Sequence, residues 1–369
     1  MSSSRDLTQV KRIVVKVGTN LLSGEEGINR DFLSLLCSEL AQIHSLGYQV
    51  VLVSSGAIGI GASLLQIKER ITSIKLRQAC ASIGQPHLQH HYGTLFAQHG
   101  IITSQILLTP EILKNRKSYL NTRNSFETLI SLGVLPICNE NDTVSTAEIG
   151  NAFGDNDRLS ALIASKIDAD LLIILSDVEG LFDADPRKHP SAKLIPEVAV
   201  LDDAIKSAAG GSGSLFATGG MKTKIKAVEI VSKAGCISVI ASGRDPGNLT
   251  RIIAGKPVGT FFFPGKKASQ RSRWILNAQS SGRIIIDQGA VDALRESKSL
   301  LPSGVINVVG SFAAGSVVMI NDIAKAVPSL DSSEIKAVMG LHSREIRKLT
   351  DSQRRDVIAR PEDIVFLGD

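Results

Sequence analysis

Short runs of β-branched and aliphatic residues that end on glycine or small polar residues recur through the first two thirds of the chain. They constrain the fold more than any other feature. Ile13–Val17 ends at Gly18, Val50–Val53 runs into Ser54-Ser55-Gly56, and Gly133–Asn139 leads into Glu140-Asn141-Asp142. Leu171–Leu175 stops at Ser176-Asp177, and Ile237–Ala241 is a further run of the same kind. Between them the periodicity is helical. Phe32, Leu35, Leu36, Leu40 and Ile43 recur at helical spacing with Gly47 as a stop, Leu159–Ile167 reads as a helix, and another is expected from about Met221 to Ala234. Strands that are apolar on both faces have no side to turn to water, so alternation with helices predicts a mainly parallel sheet covered on both sides. Aromatics make up 4 % of residues against 43 % hydrophobic, so an aliphatic core is expected.

The pattern changes near Pro264. The stretch Pro264-Gly265-Lys266-Lys267-Ala268-Ser269-Gln270-Arg271 is polar, basic and without apolar periodicity, and reads as a linker. Beyond it Arg283–Ile286, Val305–Val309 and Val317–Ile320 are short β runs between glycine-containing turns, the pattern of a small β-rich domain. A chain of 369 residues also favours two domains over one. The expected division is 1–265, a linker at 266–272, and 273–369.

Ligands of open α/β sheets bind at the carboxyl ends of the strands, and the candidate residues cluster there. Lys16 lies at a strand end before Gly18-Thr19, where a point charge and close-approaching backbone N–H groups suit a phosphate; a surface lysine before a turn would look the same. Ser54 to Gly61 is rich in glycine, which serves a ligand or close packing of a helix equally. Asn139-Glu140-Asn141-Asp142 places four polar residues after a buried strand, costly unless they are solvated or bind something. Gly154-Asp155-Asn156-Asp157 opens a helix; any one residue there could be a cap, but Asn156 and Asp157 together could reach a polar substrate or a metal ion. Thr218-Gly219-Gly220-Met221-Lys222-Thr223-Lys224 opens the next helix, and its outward N–H groups and lysines attract anions. Ser176 and Asp177 are either nucleoside contacts or a plain loop.

Several chemistries drop out. No G-x-x-x-x-G-K-[ST] is present, the glycines after Ser55 do not follow G-x-G-x-x-G, and no G-x-S-x-G elbow occurs. Cys37, Cys80, Cys138 and Cys236 form no C-x-x-C pair, which favours reduced thiols over disulfides or zinc. His87, His90 and His91 read as a solvated helix face rather than a metal site. The formal charge of +5 (41 basic less 36 acidic) suits anionic substrates and falls short of a nucleic-acid signature. Met1–Arg12 is polar and lacks a signal-peptide core, so a cytoplasmic protein without membrane contact is expected.

Taken together, Val15-Lys16-Val17-Gly18-Thr19, Ser54-Ser55-Gly56-Ala57-Ile58, Asn139-Glu140-Asn141-Asp142, Phe153-Gly154-Asp155-Asn156-Asp157 and Thr218–Lys224 resemble the glutamate 5-kinases of the amino-acid kinase superfamily. The stretch from about Arg273 resembles a PUA domain. The resemblance implies an α/β fold with an open, twisted, mainly parallel eight-stranded sheet between helices, and transfer of phosphate from ATP to the side-chain carboxylate of L-glutamate. It assigns ATP to Lys16, Ser176, Asp177, Thr218, Gly219, Gly220, Met221, Lys222, Thr223 and Lys224, and glutamate to Ser55, Asp142 and Asn156. Lys16 and Lys224 would stabilise the transferring group, with Asp157 orienting them or a magnesium ion that ATP carries. It further implies L-proline as feedback inhibitor, a homo-dimer or tetramer, and hand-over to glutamyl phosphate reductase. Acetylglutamate, aspartate, carbamate and nucleotide kinases of the same superfamily are the nearest alternatives. A different alternative is RNA binding by Arg344, Arg347, Lys348, Arg354 and Arg355, for which a solvated helix face is the preferred reading. The segment Val327–Ser333 departs from the usual PUA pattern, which weakens the RNA alternative further.

Overall fold

The computed structural model describes residues 5–24, 27–69, 71–109, 116–144, 156–186, 188–208, 220–342, 345 and 357–367. Among these the apolar runs form one eight-stranded sheet. Its middle strand β1 (Arg12–Val17) pairs in parallel with β2 (Gln49–Val53) on one side and β5 (Leu171–Ser176) on the other. Beyond β2 lie β4 (Leu135–Glu140) and the edge strand β3 (Thr103–Leu108). Beyond β5 lie β7 (Ile237–Ser242), β8 (Thr260–Phe262) and β6 (Glu197–Val198), and only the β7–β8 pair is antiparallel. Every residue of β4 and β5 is buried, as expected for strands covered on both faces.

Helices α1 (Thr19–Leu22), α2 (Arg30–Ser45), α3 (Ala57–Leu64), α4 (Ile74–Ala97), α5 (Arg116–Ser131), α6 (Asn156–Lys166), α7 (Asp203–Ala208), α8 (Met221–Ser232) and α9 (Asn248–Ile253) fill the connections. Asn29 caps α2 by accepting from the Phe32 N–H at 3.1 Å. The expected apolar stripe of α2 needs one correction. Leu35 is 59 % exposed and Leu33 takes its place in the core. At 100° per residue, Leu33 lies about 65° from the middle of the stripe set by Phe32, Leu36, Leu40 and Ile43, and Leu35 about 95°.

The glycines after Ser55 divide between two structural tasks. Gly56 has φ +94° and forms the left-handed entry to α3. Gly61 faces α4 so closely that a Cβ would lie 1.9 Å from the Cys80 carbonyl oxygen, and a Cβ on Gly84 would meet the Ala57 oxygen at the same distance. The packing need here is therefore between two helices, α3 and α4, with backbone against backbone.

The chain divides into two compact units. Met1–Pro110 with Asn121–Lys267 form the first, and Glu111–Leu120 with Ala268–Asp369 the second. The second contains α10 (Gln270–Asn277), β9 (Arg283–Ile286), α11 (Gln288–Arg295), β10 (Val305–Val309), β11 (Val318–Ile320), β12 (Ala324–Ala326), α12 (Ser332–Val338) and β13 (Ile364–Phe366). Its sheet runs β10-β9-β11-β12-β13. Ser269 caps α10, so the last residues of the expected linker already belong to a helix, and Lys325 closes the other end by donating to the Leu276 and Ala278 carbonyls. Tyr119 joins Trp274, Ile275, Val317 and Val327 in one apolar cluster of this unit. Among the described residues no helix is long and apolar enough to cross a membrane. All four cysteines are buried thiols outside any disulfide, and burial pushes the Cys37 thiol up to about 12.

Lys166, at the end of α6, is 1 % exposed. Burial pushes its ammonium from 10.5 down to about 8, partly offset by Cys138. Between those values the unfolded chain binds more protons than the folded one, so this group makes stability rise with pH across that window. Urea unfolding of the native chain and of Lys166→Met at pH 7 and pH 9.5 is expected to move the difference in favour of the native chain at the higher pH. A pH-independent difference contradicts the assignment.

Candidate active site

The chain leaves β1 toward β2 on one side, while β5 flanks β1 on the other. The carboxyl ends of β1 and β5 therefore border a topological switch point, where open sheets leave a crevice. Lys16 is the penultimate residue of β1 and Ser176 the last of β5. The first turn of α6 brings Asn156 and Asp157 to the same edge.

Asp157 is completely buried. Lys16 Nζ lies 2.6 Å from its Oδ1 and Lys224 Nζ 3.0 Å from its Oδ2, and the Thr223 hydroxyl donates to Oδ2 at 3.1 Å. Lys224 stands one turn into α8 and also reaches back to the Gly220 carbonyl at 3.4 Å. Two ammonium groups against one carboxylate leave a net positive charge. Gly18 leaves one flank of that charge uncovered: a Cβ there would sit 3.7 Å from Lys16 Nζ. Lys222, one residue along from Met221, is exposed, so the two lysines of the α8 start divide into one that faces solvent and one that faces Asp157. Gly220 caps α8 without a side chain, and the positive end of the helix dipole there favours an anion. Thr218 and Gly219 lie outside the described residues.

The Asp177 carboxylate, just past β5, accepts from Ser176 Oγ at 3.0 Å and from Asn20 Nδ2 at 3.4 Å. Burial alone would raise its carboxyl, but the hydrogen bonds from Ser176, its own N–H and Asn20, with the charge of Lys224, hold it below the usual carboxylate range.

On the other flank Asn156 gathers neutral groups. Its Nδ2 donates to the Ser54 carbonyl at 2.6 Å, to Ser55 Oγ at 2.7 Å and to Asn139 Oδ1 at 3.0 Å. Asn139 and Glu140 belong to β4 and are buried, and the half-buried Asp142 lies in the turn after it. Asn139 in turn donates to Gln85 Oε1 at 2.8 Å. Ser54 Oγ pairs with the Tyr92 hydroxyl at 2.9 Å. With its amide hydrogens committed, Asn156 has Oδ1 left to accept, and Ser55, which accepts from Asn156, has its own proton left to donate.

The expected residues Lys16, Asp157 and Lys224 thus converge on one ion pair, and Asn156 and Ser55 on one polar knot. Gly154 and Asp155 fall outside the described residues, as do Arg344, Arg347, Lys348, Arg354 and Arg355. His87 and His90 are exposed on α4, and His91 is half-buried, its imidazole held below the usual range by burial first and then by Arg30, His90 and His87. Gln85 and Tyr92 lie outside the clusters read from the sequence, whereas Asn20 closes the one that begins at Lys16. The sequence signal for Gln85 is a polar residue on the face that otherwise buries Ala81, Gly84 and Leu88.

The profile of the amino acid kinase family matches residues 11–242, and that of the PUA domain residues 282–350. A glutamate 5-kinase of Carboxydothermus hydrogenoformans is 42 % identical over 370 residues, which cover 98 % of this chain and 99 % of its own. One from Methanococcoides burtonii is 40 % identical over 96 % of both chains, and one from Geobacter sulfurreducens 41 % identical over 98 % of this chain and 99 % of its own. Among solved structures, a carbamate kinase from Giardia lamblia bound to AMP-PNP superposes with a TM-score of 0.51 at 20 % identity, over 70 % of this chain and 100 % of that one, a likeness of fold alone.

Removing the charge of Asp157 leaves two buried lysines facing each other. Asp157→Asn is expected to lower unfolding free energy by about 3–5 kcal/mol at pH 7, read by urea titration. Unchanged stability contradicts a buried charge triad.

Proposed function

Because the chain belongs to the amino acid kinase family, and within it to the glutamate 5-kinases, we propose that it transfers the terminal phosphoryl group of ATP to the side-chain carboxylate of L-glutamate. One observation carries this reading: a net-positive lysine pair and a neutral amide–hydroxyl knot sit side by side at the switch point of the sheet, anchored by the adjacent residues Asn156 and Asp157.

The lysine side suits the nucleotide. Lys16 and Lys224 face the terminal phosphates, the first turn of α8 from Gly220 through Met221, Lys222 and Thr223 offers N–H groups to them, and Ser176 and Asp177 flank the nucleoside. Thr218 and Gly219 belong to the same assignment. The knot suits an amino acid: Ser55 donates to a carboxylate, Asn156 Oδ1 accepts from an ammonium group, and Asp142 supplies a second partner, an anionic one, for that ammonium. A side-chain carboxylate is ionised at neutral pH. Its oxygen attacks the γ-phosphorus, the bridging P–O bond breaks with its electron pair remaining on ADP, and a glutamyl 5-phosphate anhydride results. No proton has to move, so no general base is required; alignment and neutralisation of charge suffice.

Both oxygens of Asp157 are engaged by ammonium groups. Magnesium is read as part of the substrate, carried by the triphosphate, with Asp157 as the residue that would orient it. Residues 1–265 are the kinase domain in this reading, 266–272 a linker and 273–369 the PUA-like domain. Family resemblance adds proline inhibition at the acceptor site, a dimer or tetramer, a cytoplasmic location and hand-over of the labile product to glutamyl phosphate reductase.

A hydroxamate assay with Mg-ATP and hydroxylamine tests the acceptor. Glutamate is expected to give γ-glutamyl hydroxamate in step with ADP, with suppression by proline, and N-acetylglutamate, aspartate, carbamate and nucleoside monophosphates are expected to give none; ADP release with one of these instead moves the chain to another branch of the family. Lys224→Ala is expected to lower kcat by about 10²–10³, the cost of losing one preorganised donor to developing charge. Near-native turnover in the folded variant would exclude that role. Asn156→Ala is expected to raise the KM for glutamate more than that for ATP, and the reverse order would exchange the two halves of the site.

A further inference from the structure

Two polar side chains in the core have no part in the assignments above. Gln85 and Tyr92 are 9 % and 0 % exposed and stand two turns apart on one face of α4. Each contacts a residue that contacts the acceptor knot. Asn139 Oδ1 accepts from the Glu140 N–H at 2.9 Å, which sets the sense of that amide, and from Asn156 Nδ2 at 3.0 Å, while Gln85 Oε1 accepts from Asn139 Nδ2 and so pairs its buried NH₂. Asn156 is thereby held with its NH₂ inward on Ser54, Ser55 and Asn139, and its oxygen is the group left for a ligand. A second relay starts at Tyr92. Ser54 Oγ lies 2.9 Å from the phenol oxygen and 3.3 Å from the Ser55 carbonyl, so when Ser54 gives its one proton to that carbonyl the phenol is the donor to Ser54. The close crossing at Gly61 and Gly84 ties α4 to α3, the helix that Ser55 and Gly56 lead into.

We propose that Gln85 and Tyr92 are positioning residues for the acceptor: they act through Asn139, Asn156, Ser54 and Ser55 to set which atoms of the knot donate and which accept. The proposal rests on the reading of that knot as the glutamate site. Without the Gln85 oxygen, Asn139 Nδ2 is a buried donor with no acceptor at that place, and a turned-over amide would meet Asn156 donor to donor. Asn156, whose NH₂ the Ser54 carbonyl also holds, would lose one of its acceptors and with it the fixed placement of the oxygen that a ligand's ammonium group meets. The phosphate half of the site, built on Asp157, shares none of these hydrogen bonds, so recognition of ATP is independent of α4.

Steady-state kinetics of the full chain, with KM for both substrates, kcat and Tm, test this. Gln85→Met is expected to raise the glutamate KM about tenfold, and Tyr92→Phe about threefold, with the ATP KM and kcat changed less than about twofold. Gln85→Glu keeps an oxygen acceptor and is expected to recover most of the lost affinity. Glutamate KM values at the native level in both Gln85→Met and Tyr92→Phe overturn the proposal. So does a parallel rise in both KM values with a lowered Tm, the signature of a merely structural role. Should Gln85→Met fail to fold, Tyr92→Phe, which deletes one oxygen from the core, decides alone. A native chain that forms no glutamyl hydroxamate sinks the reading of function and this proposal with it, whereas an active native chain with unaltered variants sinks only the proposal.

Discussion

The carboxylate of Asp157, buried between two lysines, is the interaction on which the rest of the site depends. An isolated charge in that position would be prohibitively costly, and one lysine would neutralise it. The second lysine turns a neutral pair into a cationic one. The three partners come from β1, α6 and α8, so the charges also tie the central strand to the first turns of two helices that open at the same sheet edge. The net charge matters for chemistry: a site that must hold a triphosphate while an anionic nucleophile approaches needs positive charge that does not move away. Asp157 supplies the fixed point at the cost of cancelling half of that charge.

The neighbouring residue carries the other half of the design. Asn156 organises uncharged groups, and its hydrogen bonds lead through Asn139 to α4 rather than to the lysines. Charge on one side and directional neutral hydrogen bonds on the other match what the two substrates require. Phosphates are recognised chiefly by electrostatics, whereas an amino acid offers an ammonium and carboxylates that must be told apart by which atoms donate. In the proposed reading, two consecutive residues on one helix turn thus serve two different kinds of ligand.

Much of this was legible in the sequence because strands buried on both faces leave continuous apolar runs, and ligand sites follow where those runs stop. Lys16 stands at such a stop, and Asp157 and Lys224 stand where glycine-led segments open helices. What stayed hidden depends on tertiary packing. Leu33 and Leu35 are chemically alike, and only the phase of α2 decides which is buried. The glycines at 56 and 61 look equivalent in sequence, yet one supplies a left-handed turn and the other a helix crossing. Gln85 and Tyr92 precede no strand end, and their relevance appears only once α4 is packed so that they meet Asn139 and Ser54. The grouping of Glu111–Leu120 with the C-terminal unit had no local signal at all.

The most direct test of the lysine clamp is a double-mutant cycle on kcat for glutamate phosphorylation, using Lys16→Ala, Lys224→Ala and the double variant under saturating Mg-ATP. With either lysine gone, Asp157 neutralises the one that remains, so most of the clamp is lost in the first step. The double variant is then expected to be only a few-fold slower than the worse single variant, as for groups that act as a unit. If the two losses multiply, each lysine works independently of the shared carboxylate, and the account of Asp157 as the common anchor is wrong.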